Sequence, residues 1–314
     1  MRRAFSDTLF NIMEQDERVI FLTGDLGFGV FDKIIEHFPT RYLNVGVAEA
    51  QLVNCAVGLA MDGWRPLVYS IASFMTGRAF EQIRVSIGYH RLPIVVIGAG
   101  GGYTYASSGV THHAREDFAL MSLIPGMAVT APGEPREVEI LLRHLLNAEH
   151  PSYMRIGRFG EPSTNHTSPI EFGRARRIRE GKDIALLTSA GTVIQAIEAC
   201  NTLVPEGISP TICHFHTLSP FDTDGLDEAI STADTLIIIE DHAPQGGLEA
   251  AVTNHLAKSR QSRTIIRLGP DNELVLGNPS IEEVRERFRN DTHGIVQACR
   301  QALQPSTNNR KENS

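Results

Sequence analysis

Asn44-Val45-Gly46-Val47-Ala48-Glu49-Ala50-Gln51 runs directly into Leu52-Val53-Asn54-Cys55-Ala56-Val57-Gly58-Leu59-Ala60. Small and apolar residues dominate, and from Leu52 to Met61 no side chain is charged. Such a segment reads as a helix buried on most sides, with a single carboxylate, Glu49, at its mouth. Three fates are open to that carboxylate. It can cap the helix N-terminus, where the dipole favours negative charge. It can pair with a cation, or it can stay partly protonated because burial disfavours the charged form.

Outward from this helix the chain alternates strands and helices. Upstream lie a helix over 3–15, a short apolar strand at 19–23, a helix near 31–38 and a strand at 42–43. Downstream come strands at 66–69, 94–97, 127–130 and 152–156, with helices over 74–89 and 134–147 and a glycine-rich loop at 98–111. Continuous apolar strands separated by helices imply a parallel sheet covered on both faces. Turn residues then crowd 157–180 (Gly160, Pro162, Ser163, Asn165, Pro169, Gly173), and the basic run Arg174-Ala175-Arg176-Arg177-Ile178-Arg179 reads as a solvated or interface strand. A second unit follows, with strands at 183–188, 209–214, 235–239 and 263–267 and helices at 192–204, 223–231, 247–258 and 280–303. The expected fold class is therefore α/β, with two doubly wound, mostly parallel-sheet domains at 1–157 and 181–304. A linker at 158–180 joins them, and the polar stretch 305–314 is expected to be disordered.

Composition narrows the function. A net charge of −8 argues against a nucleic-acid binder working through phosphate neutralisation. The four cysteines, Cys55, Cys200, Cys213 and Cys299, show no CxxC spacing and read as reduced thiols of a cytoplasmic protein. No apolar run is long enough for a membrane helix, and acids arrive too early after Met1 for a signal peptide.

In open parallel sheets, ligands bind beyond the carboxyl ends of the strands. Three loops end there: 24–29, 44–49 and 98–112. The third, Gly98-Ala99-Gly100-Gly101-Gly102-Tyr103-Thr104-Tyr105-Ala106-Ser107-Ser108-Gly109-Val110-Thr111-His112-His113, is too long before its next helix for a dinucleotide fingerprint. Its adjacent histidines should point in different directions, one near the site as proton handler and one structural. Phe74 and Phe80 bracket a helix start between these loops. Together Glu49, Phe74, Phe80 and His112 place a carboxylate, two aromatic faces and an imidazole at one sheet end, a set suited to a flat, nitrogen-containing aromatic ligand.

The order Gly24-Asp25, Gly46-Val47-Ala48-Glu49, Ser73-Phe74, Phe80-Glu81-Gln82-Ile83-Arg84, Thr111-His112-His113, then Glu240-Asp241-His242 with Gly246-Gly247, resembles the C-terminal half of transketolases. The resemblance covers about residues 3–300 and implies a pyrimidine-binding domain followed by a transketolase C-terminal domain. It implies thiamine diphosphate as cofactor. Glu49 would hydrogen-bond the aminopyrimidine ring, and Phe74 and Phe80 would hold that ring, with Asp25 and Arg84 as further cofactor contacts. His112 would meet a substrate oxygen near the reactive carbon, with Ser108 and one of Arg155 and Arg158 as further substrate contacts.

The family holds the diphosphate and its metal through a Gly-Asp-Gly motif, and Gly24-Asp25-Leu26-Gly27 departs from it. The resemblance thus implies one subunit of a split transketolase. An N-terminal partner subunit would carry the diphosphate and Mg2+ (or Ca2+) ligands in an α2β2 assembly, with a ketose or 2-oxo-acid donor and an aldehyde acceptor. Sugar-phosphate transketolases use a histidine and a serine where this chain has about Gly100 and Gly29, and an acid where it has Ser108, so an acceptor other than a common pentose phosphate is expected. Thr111-His112-His113 also suits a deoxyxylulose-phosphate-synthase-like carboligase. A 2-oxo-acid dehydrogenase subunit, a non-catalytic subunit and a nicotinamide-binding dehydrogenase are the other readings.

Overall fold

The computed structural model describes residues 1–158 and 160–304. The first sheet gathers β1 (Val19–Thr23), β2 (Tyr42–Asn44), β3 (Arg65–Ile71), β4 (Val95–Ala99), β5 (Ala128–Thr130) and β6 (Ser152–Ile156). The second gathers β7 (Arg176–Arg179), β8 (Asp183–Thr188), β9 (Thr211–His214), β11 (Ala233–Ile239) and β12 (Thr264–Leu268). The strand between them in sequence, β10 (Thr217–Ser219), leaves the second half of the chain and joins the first sheet. The strand orders are β10-β5-β6-β4-β3-β1-β2 and β12-β11-β8-β9-β7. All pairings are parallel except β10 with β5 and β7 with β9, which close one edge of each sheet.

Alternation along β1 explains how both faces of the first sheet are covered. Val19 and Phe21 point into a core with the N-terminal helix Arg2–Gln15 and the helix Pro135–Asn147. Ile20 and Leu22 point to the other face, against Leu52, Val53 and Ala56 of the helix Glu49–Met61. That second core continues without a break into Leu187, Phe215 and Leu226, so the two sheets share one apolar interior.

Several expectations need correction. The basic run is not solvated at its centre: Arg176 is 1% exposed and donates to Glu134 Oε1 at 2.6 Å and Glu137 Oε1 at 2.5 Å across the boundary between the sheets. His214 Nε2 completes this buried cluster, 3.1 Å from Glu137 Oε2. The helix expected over 280–303 is two, Ile281–Arg287 and Thr292–Ala302, because Arg289 turns left-handed and the Asp291 carboxylate caps a new start through Gly294 N–H. The helix expected over 74–89 is likewise divided into Ala72–Arg78, a turn at Phe80–Gln82 and a π-wound segment Ile83–Tyr89. The expected disordered tail 305–314 lies outside the described residues.

The helix Glu49–Met61 also departs from its reading. Only Glu49, Leu52, Val53 and Ala56 are buried, while Met61 is 61% exposed and Val47, just before the helix, 70%. Its charge-free outer face points away from this chain's own core.

Candidate active site at the carboxyl ends of the first sheet

β1, β2, β3 and β4 deliver their carboxyl ends to one region, and each contributes a different chemical element. β1 ends at Thr23, just before Gly24, and β2 at Asn44, whose side chain ties the two turns together. Asn44 Oδ1 accepts from Asp25 N–H at 2.9 Å and from Gly46 N–H at 3.0 Å, and its Nδ2 donates to Asp25 Oδ1 at 3.2 Å. The turns approach closely because glycine permits it: a Cβ on Gly24 would lie 3.1 Å from Gly46 O. Asp25 is exposed, sits at φ 59°, and has its carboxylate engaged by Asn44.

Glu49 follows at the first position of its helix, yet its side chain makes no capping bond. The carboxylate is 3% exposed and turns instead toward β3 and the helix after it. Ser70 Oγ donates to Oε1 at 3.3 Å and Arg78 Nη1 to Oε2 at 3.2 Å. Of its three possible fates, the structure therefore shows pairing with a cation.

Arg78 escaped the sequence reading. It lies one helical turn after Phe74 in Ala72–Arg78, and its guanidinium covers the Phe74 ring at 4.1 Å. That spacing was its available signal. Arg84, expected near the ligand, is exposed on the π-wound segment and lines a different cleft with Val85, Tyr89 and Leu123. Phe80 is half-buried and packs against the main core.

The loop after β4 brings His112 to the same place. Its ring meets Phe74 edge-on at 4.9 Å, and Thr111 Oγ1 lies 3.0 Å from its Nδ1. Burial, with His113 and Arg78 adding positive charge nearby, lowers its pKa and keeps the imidazole neutral near pH 7. His113 points the other way, buried, its Nε2 donating to Ala106 O at 3.1 Å. Glu49, Arg78, Phe74 and His112 thus form one continuous row. Ser108 is exposed in the turn Ala106–Ser108.

The two candidate arginines separate clearly. Arg155, 3% exposed, donates to Asp117 Oδ2 at 2.8 Å and also to Asp117 Oδ1, to Ala114 O at 3.1 Å and to Asp241 O at 3.2 Å, and it lies 3.6 Å from the Phe118 ring centre. Burial pushes the Asp117 carboxyl up, but Arg155 prevails and holds it below its ordinary value. Arg155 is therefore occupied in the core, contrary to its expected substrate role. Arg158 is exposed, 5.5 Å from the Tyr105 ring centre.

From the C-terminal half, His242 packs on Phe118 with ring centres 5.1 Å apart. Its Nδ1 donates to Ala243 O at 2.8 Å and its Nε2 accepts from Ala119 N–H at 3.3 Å, while burial lowers its pKa to about 4. Glu240 Oε2 accepts from Leu248 N–H at 2.7 Å, at the start of the helix Leu248–Ser259 that follows Gly246-Gly247. Glu240 and His242 therefore hold structure together. Among the described residues, no three His, Cys, Asp or Glu side chains converge as a metal site.

Comparison with known proteins agrees with this architecture. Residues 1–159 match the transketolase pyrimidine-binding domain family and 173–285 the transketolase C-terminal domain family. One of the subunits of the apulose-4-phosphate transketolase of Phocaeicola vulgatus is 29% identical over 96% of this chain and 96% of its own length. 1-Deoxy-D-xylulose-5-phosphate synthase 1 of Geobacter metallireducens is 32% identical over 94% of this chain but only 48% of its own length. A solved split-gene transketolase, described as an inactive beta4 tetramer, superposes with a TM-score of 0.87 at 29% identity, covering 96% of this chain and 97% of its own.

Proposed function

Because the chain belongs to the transketolase family of thiamine-diphosphate enzymes, we propose that it is the C-terminal subunit of a split transketolase. It would transfer a two-carbon ketol unit only when joined to an N-terminal partner subunit. The observation that carries this reading is the buried Glu49 carboxylate, 3% exposed, in a row with Arg78, Phe74 and His112 at the carboxyl ends of parallel strands.

These residues fit the pyrimidine half of the cofactor. The carboxyl is shielded from water, Ser70 fixes one of its oxygens, and Phe74 offers an aromatic face beside it. Thiamine diphosphate, when bound, supplies the nucleophilic carbon that carries the ketol unit from donor to acceptor. The chain's own part is narrower. Glu49 holds a proton at Oε2 for a ring nitrogen, a position from which Arg78 must withdraw. Phe74 excludes water from that exchange, Phe80 packs against the main core, and neutral His112 donates to or accepts from a substrate oxygen. Asp25 acts through Asn44 on the turn at Gly46, while Arg84 and Arg155 drop out of the proposed site. Arg158 and Ser108 remain for the substrate's distal end.

Diphosphate and divalent metal ligands, Mg2+ or Ca2+, belong in this reading to the partner, with an α2β2 assembly. The exposed apolar residues Val47 and Met61, and the cleft of Val85, Tyr89 and Leu123, are the surface such a partner would cover. Gly100 and Gly29, standing where sugar-phosphate ligands would be, support an acceptor other than a common pentose phosphate. No helix among the described residues is long and apolar enough to cross a membrane, and a cytoplasmic location is part of the proposal.

A carboligase acting on pyruvate is the second reading, favoured by the 32% identity to the synthase. Co-expression with the partner separates the two. A split transketolase shows ketol transfer from a ketose without carbon dioxide release, neither subunit being active alone. Carbon dioxide release from pyruvate without ketose turnover overturns the first reading in favour of the second, and full turnover by E49Q overturns both.

A further inference from the structure

His112 rides on a loop, 100–116, that is poor in structure of its own. It contains two single turns, Ala106–Ser108 and Val110–His112, and one bridge in which Gly102 and Ala114 exchange hydrogen bonds at 2.9 Å. The first half of the chain holds the loop through Ser73 Oγ, which donates from the helix Ala72–Arg78 to Thr111 O at 2.9 Å, through Arg155 at Ala114 O, and through Gly100 N–H, which donates to Ile156 O at 2.8 Å. Further grips, on either side of His112, come from the C-terminal half. Arg115 donates to Asp271 O at 2.8 Å, Glu273 O at 2.7 Å and Asn272 Oδ1 at 3.1 Å. Asn278 Nδ2 donates to Ser107 O at 2.9 Å, and Ala243 N–H to Arg115 O at 2.7 Å. Between these polar ties, Tyr103 and Ala106 pack with Val275, Val284 and Phe288 in a small apolar cluster separate from the main cores.

These contacts bracket His112. Asn278 fixes the chain on one side at Ser107, and Arg115 fixes it on the other, both through residues 271–278. Ordering a glycine-rich loop of this length costs backbone entropy at every residue, so it stays in place only where contacts hold it. A displacement of about 1 Å at a reacting group can cost about a hundredfold in rate. His112 makes only one side-chain hydrogen bond among the described residues, to its neighbour Thr111, so beyond its edge contact with Phe74 its position is inherited from the loop.

We propose that segment 271–278 is a strap by which the C-terminal half sets the position of His112, with Arg115 and Asn278 as positioning residues. The inference rests on the transfer reaction proposed above, and it gives the C-terminal domain a part in the active site.

The test uses N278D, which keeps the size of the side chain but removes the donor to Ser107, together with R115A. Hydrogen exchange measured on the full chain should accelerate about fivefold at amides 104–113, the loss of one net hydrogen bond, with distant strands unchanged. In the reconstituted complex kcat should fall about tenfold with cofactor affinity unchanged, and N278Q should restore part of it. Unchanged exchange at 104–113 in both variants overturns the strap. Full turnover by H112N overturns the role of His112 itself, a separate failure that leaves the exchange result standing and removes only its catalytic meaning.

Discussion

Arg78 Nη1 donates to Glu49 Oε2 across 3.2 Å while its guanidinium lies on Phe74, so one exposed cation covers both the carboxyl and the aromatic face of the proposed site. The pair is unequal: Glu49 is 3% exposed and the Arg78 side chain 52%. The carboxylate is fixed and the arginine is free to leave.

Replacing Glu49 with Gln keeps an acceptor for Ser70 but removes the exchangeable proton. Turnover of the reconstituted complex should fall by about 10²–10⁴. R78A removes a half-exposed cation but strands a buried carboxylate, so it should destabilise the chain by about 1–3 kcal/mol. Steady-state rates for the first and thermal unfolding for the second check the two outcomes.

Arg155 and Arg158 should respond in opposite ways. Among the described residues, R155M leaves the fully buried Asp117 with Tyr153 Oη, at 2.6 Å, as its one side-chain hydrogen-bond donor. Uncompensated buried charge of this kind costs about 3–5 kcal/mol, visible as a large drop in unfolding temperature. R158A should leave the unfolding curve in place and raise KM for a phosphorylated substrate. An R155M variant as stable as the parent would contradict the buried pair.

Acid should weaken the fold through two histidines. Burial lowers both His216 and His242 to about 4, below the ordinary 6.5. Below 6.5 the unfolded chain takes up protons that the folded chain refuses, so stability present above that pH is lost progressively down to about 4. Each contributes at most about 3 kcal/mol over this window. Denaturant unfolding between pH 7 and 4 measures the loss, and H216N together with H242N should flatten it.

Charges placed just before the Glu49 helix and at its exposed C-terminal end should disrupt assembly and spare folding. V47D and M61D change residues that are 70% and 61% exposed in the single chain. Sedimentation should show a smaller species with unaltered circular dichroism. An unchanged assembly would remove this face from the proposed interface.

Much of this was readable in the sequence, and the remainder failed for identifiable reasons. Long apolar strands and the helices between them declare themselves by periodicity. β10 has only three residues before Pro220, too short for any period, and its partner lies in the other half of the chain. Asn290 and Asp291 do carry a stop-and-restart signal inside 280–303, but the helical pattern on both sides masked it. The run holding Arg176 reads as a solvated or interface strand, and nothing local in it singles Arg176 out for burial. Only the tertiary structure brings Glu134 and Glu137 against it. Asn44 was missed because it acts by tying two turns together, which spacing does not reveal, whereas Arg78, one helical turn after Phe74, was open to a spacing argument.

The crossing of β10 has a consequence for dissecting this protein. Cutting the chain anywhere between the halves strips the first sheet of its edge strand and bares β5, whose open backbone groups invite pairing with other chains. The same cut opens the apolar interior shared by the two sheets. Excised halves should therefore aggregate, and heat should melt the intact chain in one transition where two beads on a string would give two.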